Sequence, residues 1–234
     1  MKKAVLCLLV FVMLLASCFA YAEDGAAPIL FRGAEWGSTF DEAIKVLPEG
    51  SKVRDLNTTE YWYSVDNLLY NESVWDDSYK GELGGYTYVQ SSSLKGLQVA
   101  GYDIEELKMY FVYTTGDDGL LIKDSDHTAF IYAYYKLEPK DPDAAYEDLL
   151  TKLTKLYGDV DVRQTDSSYI VYEQNLWDGG NGTKVSLLRE DYPTGSHYIY
   201  IKYSFDGAND LMKKAYDALV LEESVNASSN VEGL

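Results

Sequence analysis

The residues that most often carry covalent or metal chemistry are scarce in this chain, and their spacing brings none of them together. Its two histidines, His127 and His197, stand 70 positions apart, and its two cysteines, Cys7 and Cys18, lie within the first 18 residues. A zinc site takes several histidine or cysteine ligands, and a catalytic nucleophile needs a base within hydrogen-bond reach. The sequence therefore predicts no catalytic residue, no metal site and no cofactor.

Acidic residues come closest to a cation site. Asp117-Asp118 and Asp124-x-Asp126 are near each other in sequence and could flank one turn. Carboxylate oxygens are the ligands that calcium prefers, but acids in a surface loop are also commonly just solvated. The spacing leaves both interpretations open, a weak calcium site or ordinary loop acids.

Aromatic residues are far more abundant than histidine and cysteine. The chain contains 22 tyrosines, against seven phenylalanines and four tryptophans. Flat rings can stack on sugar faces, which makes Trp62, Trp75 and Trp177 candidate ligand-binding residues; their alternative role is packing in a sheet core or hairpin. Tyrosine favours pleated surfaces on which the ring packs while the hydroxyl stays in water. The tyrosine content therefore predicts a sheet that has one covered face.

The first 22 residues predict an export signal. Two lysines precede an apolar run from Ala4 to Ala16, and Ala20-Tyr21-Ala22 has the small residues of a cleavage site. The run is too short for a membrane-spanning helix. Cleavage after Ala22 would release a protein that begins at Glu23 in the periplasmic or extracellular space.

A second route of processing is open at Cys18. The segment Leu15-Ala16-Ser17-Cys18 resembles a bacterial lipobox, in which the cysteine is lipidated and becomes the first residue. This route would give a membrane-anchored lipoprotein, although the apolar residues 19–22 make a poor flexible tether. The sequence leaves both outcomes open. In either case no pair of cysteines remains for a disulfide, so stability must come from core packing.

Net charge narrows the range of partners. The signal holds two of the 20 basic residues and none of the 38 acidic ones, so the exported chain carries a formal charge of −20. Such a chain is repelled by phosphate backbones and by anionic lipid headgroups. We therefore expect no nucleic-acid partner, and membrane contact only through a lipid on Cys18.

Capping signals place the helices. Thr39 and Glu42 have the spacing of a capping box, and Ser38 and Asp41 offer the same pairing one residue earlier. Pro48 stops the helix that follows. A closing helix is predicted over residues 209–221.

The second helix is specified best. Asp141 is a natural N-cap, Pro142 fits the first helical position, and Gly158 follows the end. Apolar residues at spacings of three and four predict one buried face. That face consists of Tyr146, Leu149, Leu150, Leu153, Leu156 and Tyr157.

Runs of strands lie between the helices. In the last strand, the period of two places Tyr198, Tyr200 and Lys202 on one face and Ile199 and Ile201 on the other. Consecutive strands with short turns favour antiparallel meanders, which differ from the alternating pattern of a parallel sheet. The predicted strands are residues 61–70, 86–91, 94–102, 107–114, 128–137, 169–177, 184–189 and 198–205.

A helix followed by a run of strands occurs twice, and a helix closes the chain. This order predicts an α+β fold of duplicated helix-plus-antiparallel-meander units, with the helices packed on one face of the sheet. The two sheets could also join edge to edge. The predicted divisions are a signal peptide (1–22), a first unit (29–137), a second unit with the closing helix (138–222) and a disordered tail (223–234).

Two stretches carry a resemblance to known proteins. They are Phe31-Arg32-Gly33-Ala34-Glu35-Trp36-Gly37-Ser38-Thr39, which leads into the first helix, and Leu153-Thr154-Lys155-Leu156-Tyr157-Gly158-Asp159, which precedes strands. Over residues 29–205 the chain resembles uncharacterised secreted or lipid-anchored bacterial proteins. Their helix-plus-meander units are similar to small outer-membrane assembly lipoproteins and to β-lactamase-inhibitor proteins. The resemblance implies a binding or scaffolding module and brings no catalytic residues with it.

We therefore expect an exported, non-enzymatic interaction protein of the bacterial cell envelope. Its partner would be an envelope or extracellular protein. The alternative is a secreted carbohydrate-binding or glycan-processing protein, whose partner would be a glycan bound by the tryptophans.

Overall fold

An eight-stranded antiparallel sheet forms the framework of the molecule. The structure, a computed structural model, describes residues 31–47, 57–61, 81–89, 97–166, 171–178 and 182–231. The predicted signal peptide, Cys18, Trp62 and Trp75 lie outside these residues. The helices are α1 (Phe40–Ala43), α2 (Pro142–Tyr157) and α3 (Ala208–Val231), with 3₁₀ turns at Ile44–Val46 and Ser125–His127. The strands are β1 (Asn57–Tyr61), β2 (Gly81–Val89), β3 (Gln98–Val99), β4 (Tyr102–Asp103), β5 (Glu106–Tyr113), β6 (Thr128–Leu137), β7 (Asp161–Asp166), β8 (Val171–Asp178), β9 (Thr183–Asp191) and β10 (His197–Phe205).

The strands cross the sheet in the order β1-β2-β5-β6-β10-β9-β8-β7, and β3 pairs with β4 in a separate hairpin. A helix followed by four strands of the main sheet occurs twice: α1 precedes β1, β2, β5 and β6, and α2 precedes β7 to β10. The halves meet where β6 pairs with β10, from Leu137 opposite Ile199 to Tyr132 opposite Ser204. The predicted α+β class with antiparallel strands is confirmed, and both halves share one sheet. Duplication of one ancestral unit stays a prediction.

The main core lies between the sheet and helices α1 and α2. Alternate residues of β5, namely Leu107, Met109 and Phe111, belong to it, as the period of two requires. Helix α2 contributes Leu149 and Leu153, which share one side of the helix at a spacing of four. Burying each such side chain stabilises the fold by roughly 2 kcal/mol.

The two ends of α2 lie where the capping signals predicted them. The Asp141 carboxylate accepts a hydrogen bond from the backbone N–H of Ala144 at 3.1 Å. At the other end, Gly158 has a φ of 88°, a conformation that favours glycine, and its N–H donates to the Thr154 carbonyl at 2.8 Å. These contacts satisfy backbone groups that the helix itself leaves without partners.

One residue of the predicted apolar face of α2 is not covered. Leu156 is 71% exposed, whereas Leu153 is 5% exposed. Leu156 lies at the margin of the apolar stripe and in the last turn of the helix. The buried face is therefore narrower at this end than the spacing predicted.

A short N-terminal segment fastens α1 to the sheet. The Glu42 carboxylate accepts hydrogen bonds from the backbone N–H (3.2 Å) and the hydroxyl (3.1 Å) of Thr39, so the structure selects this pair of the two that the spacing allowed. The helix has four residues and continues as a 3₁₀ turn to Val46. Just before it, Trp36 stacks on Phe130 with 4.7 Å between ring centroids. The tryptophan of the first resemblance motif therefore has a packing role.

Helix α3 lies on the opposite face of the sheet from α1 and α2. Its Met212 and Ala215 pack with Tyr110 and Ile131, whose strand neighbours belong to the main core. The prediction that the helices pack on one face holds for α1 and α2, and α3 is the exception. The physical reason is that β5 and β6 carry apolar residues on both faces, so both need cover.

Helix α3 also extends further than predicted. It was expected to end at Leu221, with residues 223–234 as a disordered tail, but it runs to Val231. No glycine or proline interrupts the sequence from Ala208 to Val231, so nothing there stops a helix. Among the helices of the described residues, none is long and apolar enough to cross a membrane.

Four strands differ from the prediction. β1 (Asn57–Tyr61) shares only Tyr61 with the predicted strand 61–70, and β2 begins at Gly81 and not at residue 86. β7 was not predicted because its sequence, Asp-Val-Arg-Gln-Thr-Asp, is polar, and it is a strand through its pairing with β8. In the predicted strand 94–102, the part that is described is a hairpin. Ala100 and Gly101 have φ values of 53° and 93°, the backbone of a two-residue turn between β3 and β4. Residues 62–70 of the first predicted strand lie outside the described residues.

Candidate functional site

Tyrosine and lysine alternate across the sheet face that carries α3. The register places Lys108 opposite Tyr134, and Tyr134 opposite Lys202, so one row crosses β5, β6 and β10. In the next row, Lys136 lies opposite Tyr200. We call this surface the tyrosine–lysine face. It consists of Lys108, Tyr134, Lys136, Tyr198, Tyr200 and Lys202.

The predicted division of β10 between two faces is confirmed. Ile199 and Ile201 lie in the main core beneath α2. Tyr198, Tyr200 and Lys202 alternate with them and therefore point to the opposite side of the sheet.

Tyr134 lies at the centre of the face and is held by a carboxylate. Its hydroxyl donates to Glu106 Oε1 at 2.5 Å, and Lys108 Nζ lies 3.2 Å from the same oxygen. The Tyr134 ring meets the Tyr200 ring edge to face, with 5.7 Å between centroids. Burial raises the pKa of Tyr134, and the neighbouring Tyr110 and Glu106 raise it further. Its hydroxyl therefore stays protonated and acts as a fixed hydrogen-bond donor.

A second group of contacts surrounds Tyr198. Lys136 Nζ lies over the Tyr198 ring, 3.6 Å from its centroid, which is a close cation–π contact. The Tyr198 ring also meets the Tyr192 ring edge to face, with 5.7 Å between the centroids. The Tyr192 hydroxyl donates to Glu190 Oε2 at 2.9 Å. Tyr198 and Lys136 are both half-buried, so part of each remains accessible.

Lys202 is the buried member of the face. It is 5% exposed, and its Nζ lies 5.6 Å from the centroid of the Tyr200 ring. Burial lowers the pKa of Lys202 to about 8, while the nearby Glu190 charge acts in the opposite direction. The amine is therefore still mostly protonated at pH 7, within a setting that disfavours its charge.

These contacts suit recognition better than chemistry. Tyrosine rings that are fixed by hydrogen bonds and edge contacts give a large contact area at low cost in conformational entropy. Lys108, Lys136 and Glu106, which are partly exposed, add charges that can fix the orientation of a partner. Within the described part of the chain, no group of three or more His, Cys, Asp or Glu side chains is arranged to hold a metal ion.

A cleft of about 450 Å³ lies on another part of the surface, between the β3–β4 hairpin and the first turn of α2. The hairpin is tied to α2 because the Tyr102 hydroxyl donates to Asp148 (2.8 Å) and Lys152 Nζ donates to both Asp148 (2.6 Å) and the Ala100 carbonyl (2.8 Å). Burial raises the pKa of Tyr102, and the Asp148 carboxylate raises it further. These contacts hold the hairpin against α2 and have a structural role.

The loop acids considered for calcium serve local turns. The Asp124 carboxylate accepts hydrogen bonds from the backbone N–H groups of Asp126 (3.1 Å) and His127 (3.0 Å), and it lies 2.7 Å from His127 Nδ1. The hydrogen bond with His127 lowers the pKa of Asp124. Asp118 accepts from the N–H of Leu120 at 3.1 Å. The structure thus gives Asp118 and Asp124 partners within their own turns and does not gather them around a common point.

His197 belongs to a network of hydrogen bonds and ion pairs beside α2. Its Nδ1 lies 2.7 Å from Asp191 Oδ1, and Arg189 bridges Asp191 (2.9 Å) and Asp143 (2.6 Å). Burial pushes the pKa of Asp191 upward, but the hydrogen bonds from His197 and Arg189 outweigh it and hold that pKa below its usual value. Since Asp143 belongs to the first turn of α2, this network ties the helix to β9.

Of the three tryptophans considered either as candidate ligand-binding residues or as packing residues, the structure describes Trp177. It has no exposed surface and packs against Tyr157 in the main core, with 6.4 Å between ring centroids. The prediction for Trp177 is therefore corrected to the packing role, because a ring without exposed surface cannot stack on a sugar.

Fold and surface together define an antiparallel α+β protein with helices on both sides of its sheet and a charged, tyrosine-rich patch on one side. Comparisons of the chain with protein-family models, with curated proteins and with solved structures find no match. The resemblance to assembly lipoproteins and β-lactamase-inhibitor proteins stays an expectation from the two sequence motifs.

Sequence reasoning identified one strand of the tyrosine–lysine face and missed the rest. Lys108 and Glu106 alternate with core residues along β5, as Tyr134 and Lys136 do along β6, so period two carried the signal. The sequence did not show which strands are neighbours in the sheet, because β6 and β10 are separated by some 60 residues in sequence.

Proposed function

We propose that this chain is an exported, non-enzymatic interaction protein of the bacterial cell envelope, and that it binds a protein partner through the tyrosine–lysine face. The observation that carries the proposal is the fixed array of Tyr134, Tyr198 and Tyr200 beside charged side chains. Tyrosine is enriched among the residues that dominate protein–protein binding energy, since it combines area, rigidity and a hydroxyl.

The proposed location in the cell envelope is argued from the sequence. The apolar run after Lys3 and the Ala20-Tyr21-Ala22 site favour export, and the charge of −20 disfavours binding to nucleic acid or bare anionic lipid. On the tyrosine–lysine face the three lysines outnumber the neighbouring carboxylates Glu106 and Glu190, in contrast with the overall charge of the chain. A partner with acidic side chains would meet less repulsion there than elsewhere on so acidic a chain.

The limited access to the aromatic ring faces favours a protein partner over a glycan. Sugar binding needs an open ring face. Lys136 occupies one face of Tyr198, and Trp177 has no exposed surface. The carbohydrate alternative then depends on Trp62 and Trp75, outside the described residues.

Site-specific photo-crosslinking in the native host tests the proposal. A photoreactive phenylalanine analogue replaces Tyr198, and the matched control carries it in place of Lys155, which is exposed on α2 at the other side of the sheet. We expect one discrete protein adduct from position 198 at native expression level, identified by mass spectrometry, and none from position 155.

Two results would contradict the proposal. One is a failure of position 198 to give any protein adduct in cells in which the variant is exported and folded. The other is the same set of adducts from both positions, since that would indicate random contacts. Adducts that contain glycan instead of protein would favour the carbohydrate alternative.

A further inference from the structure

We draw no further inference here: the strongest candidate, the cleft between the β3–β4 hairpin and the first turn of α2, rests on a helix N-terminus that Asp141 already caps and on a few carboxylates at its rim, and no second observation among the described residues points to a ligand.

Discussion

Lys202 holds a positive charge in a place that water hardly reaches, and this has a measurable consequence for stability. Its pKa is about 8 in the folded protein, against 10.5 for an unperturbed lysine. Between these two values the unfolded chain binds more protons than the folded one. The free energy of unfolding therefore gains a contribution that rises with pH across this window.

The expected size follows from the pKa difference. From pH 7 to pH 9.5, this contribution should rise by roughly 2 kcal/mol, because the cost of burying the charge is largely relieved. The measurement is urea unfolding at both pH values for the natural chain and for Lys202→Met, which keeps the length of the side chain and cannot titrate.

The comparison between the two chains removes the effect of the tyrosines. Burial raises the pKa of Tyr134 and Tyr200, so both make the folded state less stable as pH rises above about 10. That effect is common to both proteins. If the natural chain and Lys202→Met change equally between pH 7 and 9.5, Lys202 is not the buried charge that we describe.

At the scale of elements, α2 is the helix on which the second half of the sheet depends. Leu153 lies at the centre of its buried stripe and is 5% exposed. Leu153→Asp places an unpaired charge in the core, and we expect a loss of roughly 3 kcal/mol or more in the free energy of unfolding. Chemical unfolding followed by circular dichroism measures it.

The same helix supplies the matched control. Leu156 is three residues further on and 71% exposed, so Leu156→Asp introduces the same charge into water. We expect its effect to stay within about 0.5 kcal/mol. Equal losses in the two variants would mean that the packing of α2 is not as described.

How well an element could be predicted depended on where its stabilising contacts lie. Helix α2 and strand β6 were predicted at their observed ends, because caps at Asp141 and Gly158 and a long run of strand-forming residues are local signals. β7 was missed because its strand state comes from pairing with β8. The side on which α3 packs was missed for a similar reason, since an apolar stripe does not say which sheet face it covers.

Single residues of the site show the same limit. Sequence predicted the face that Tyr198, Tyr200 and Lys202 share, but the lysines and Glu106 of β5 and β6 join them only through the β6–β10 pairing. For Trp177 the sequence left two roles open, because a tryptophan in a strand has the same sequence signature whether its side chain faces the core or the solvent. The structure buries it.

At the scale of the whole molecule, the mature amino terminus decides whether the protein is anchored. The sequence allows lipidation at Cys18 or cleavage after Ala22, and the apolar residues after Cys18 favour the second. We therefore expect intact-mass spectrometry of the natively exported protein to give an unmodified chain that begins at Glu23. A mass that begins at Cys18 with a diacylglyceryl group would instead place the −20 chain at a membrane through its lipid.

The affinity of the partner identified by cross-linking tests the central claim most directly. It would be measured for the natural chain, for Tyr198→Ala, for Lys136→Ala and for the control Lys155→Ala, with folding checked by circular dichroism. We predict that the first two substitutions each weaken binding at least about tenfold, which corresponds to a loss of about 1.4 kcal/mol, and that Lys155→Ala leaves it unchanged. Unchanged affinity in both Tyr198→Ala and Lys136→Ala would contradict the assignment of the tyrosine–lysine face as the binding surface.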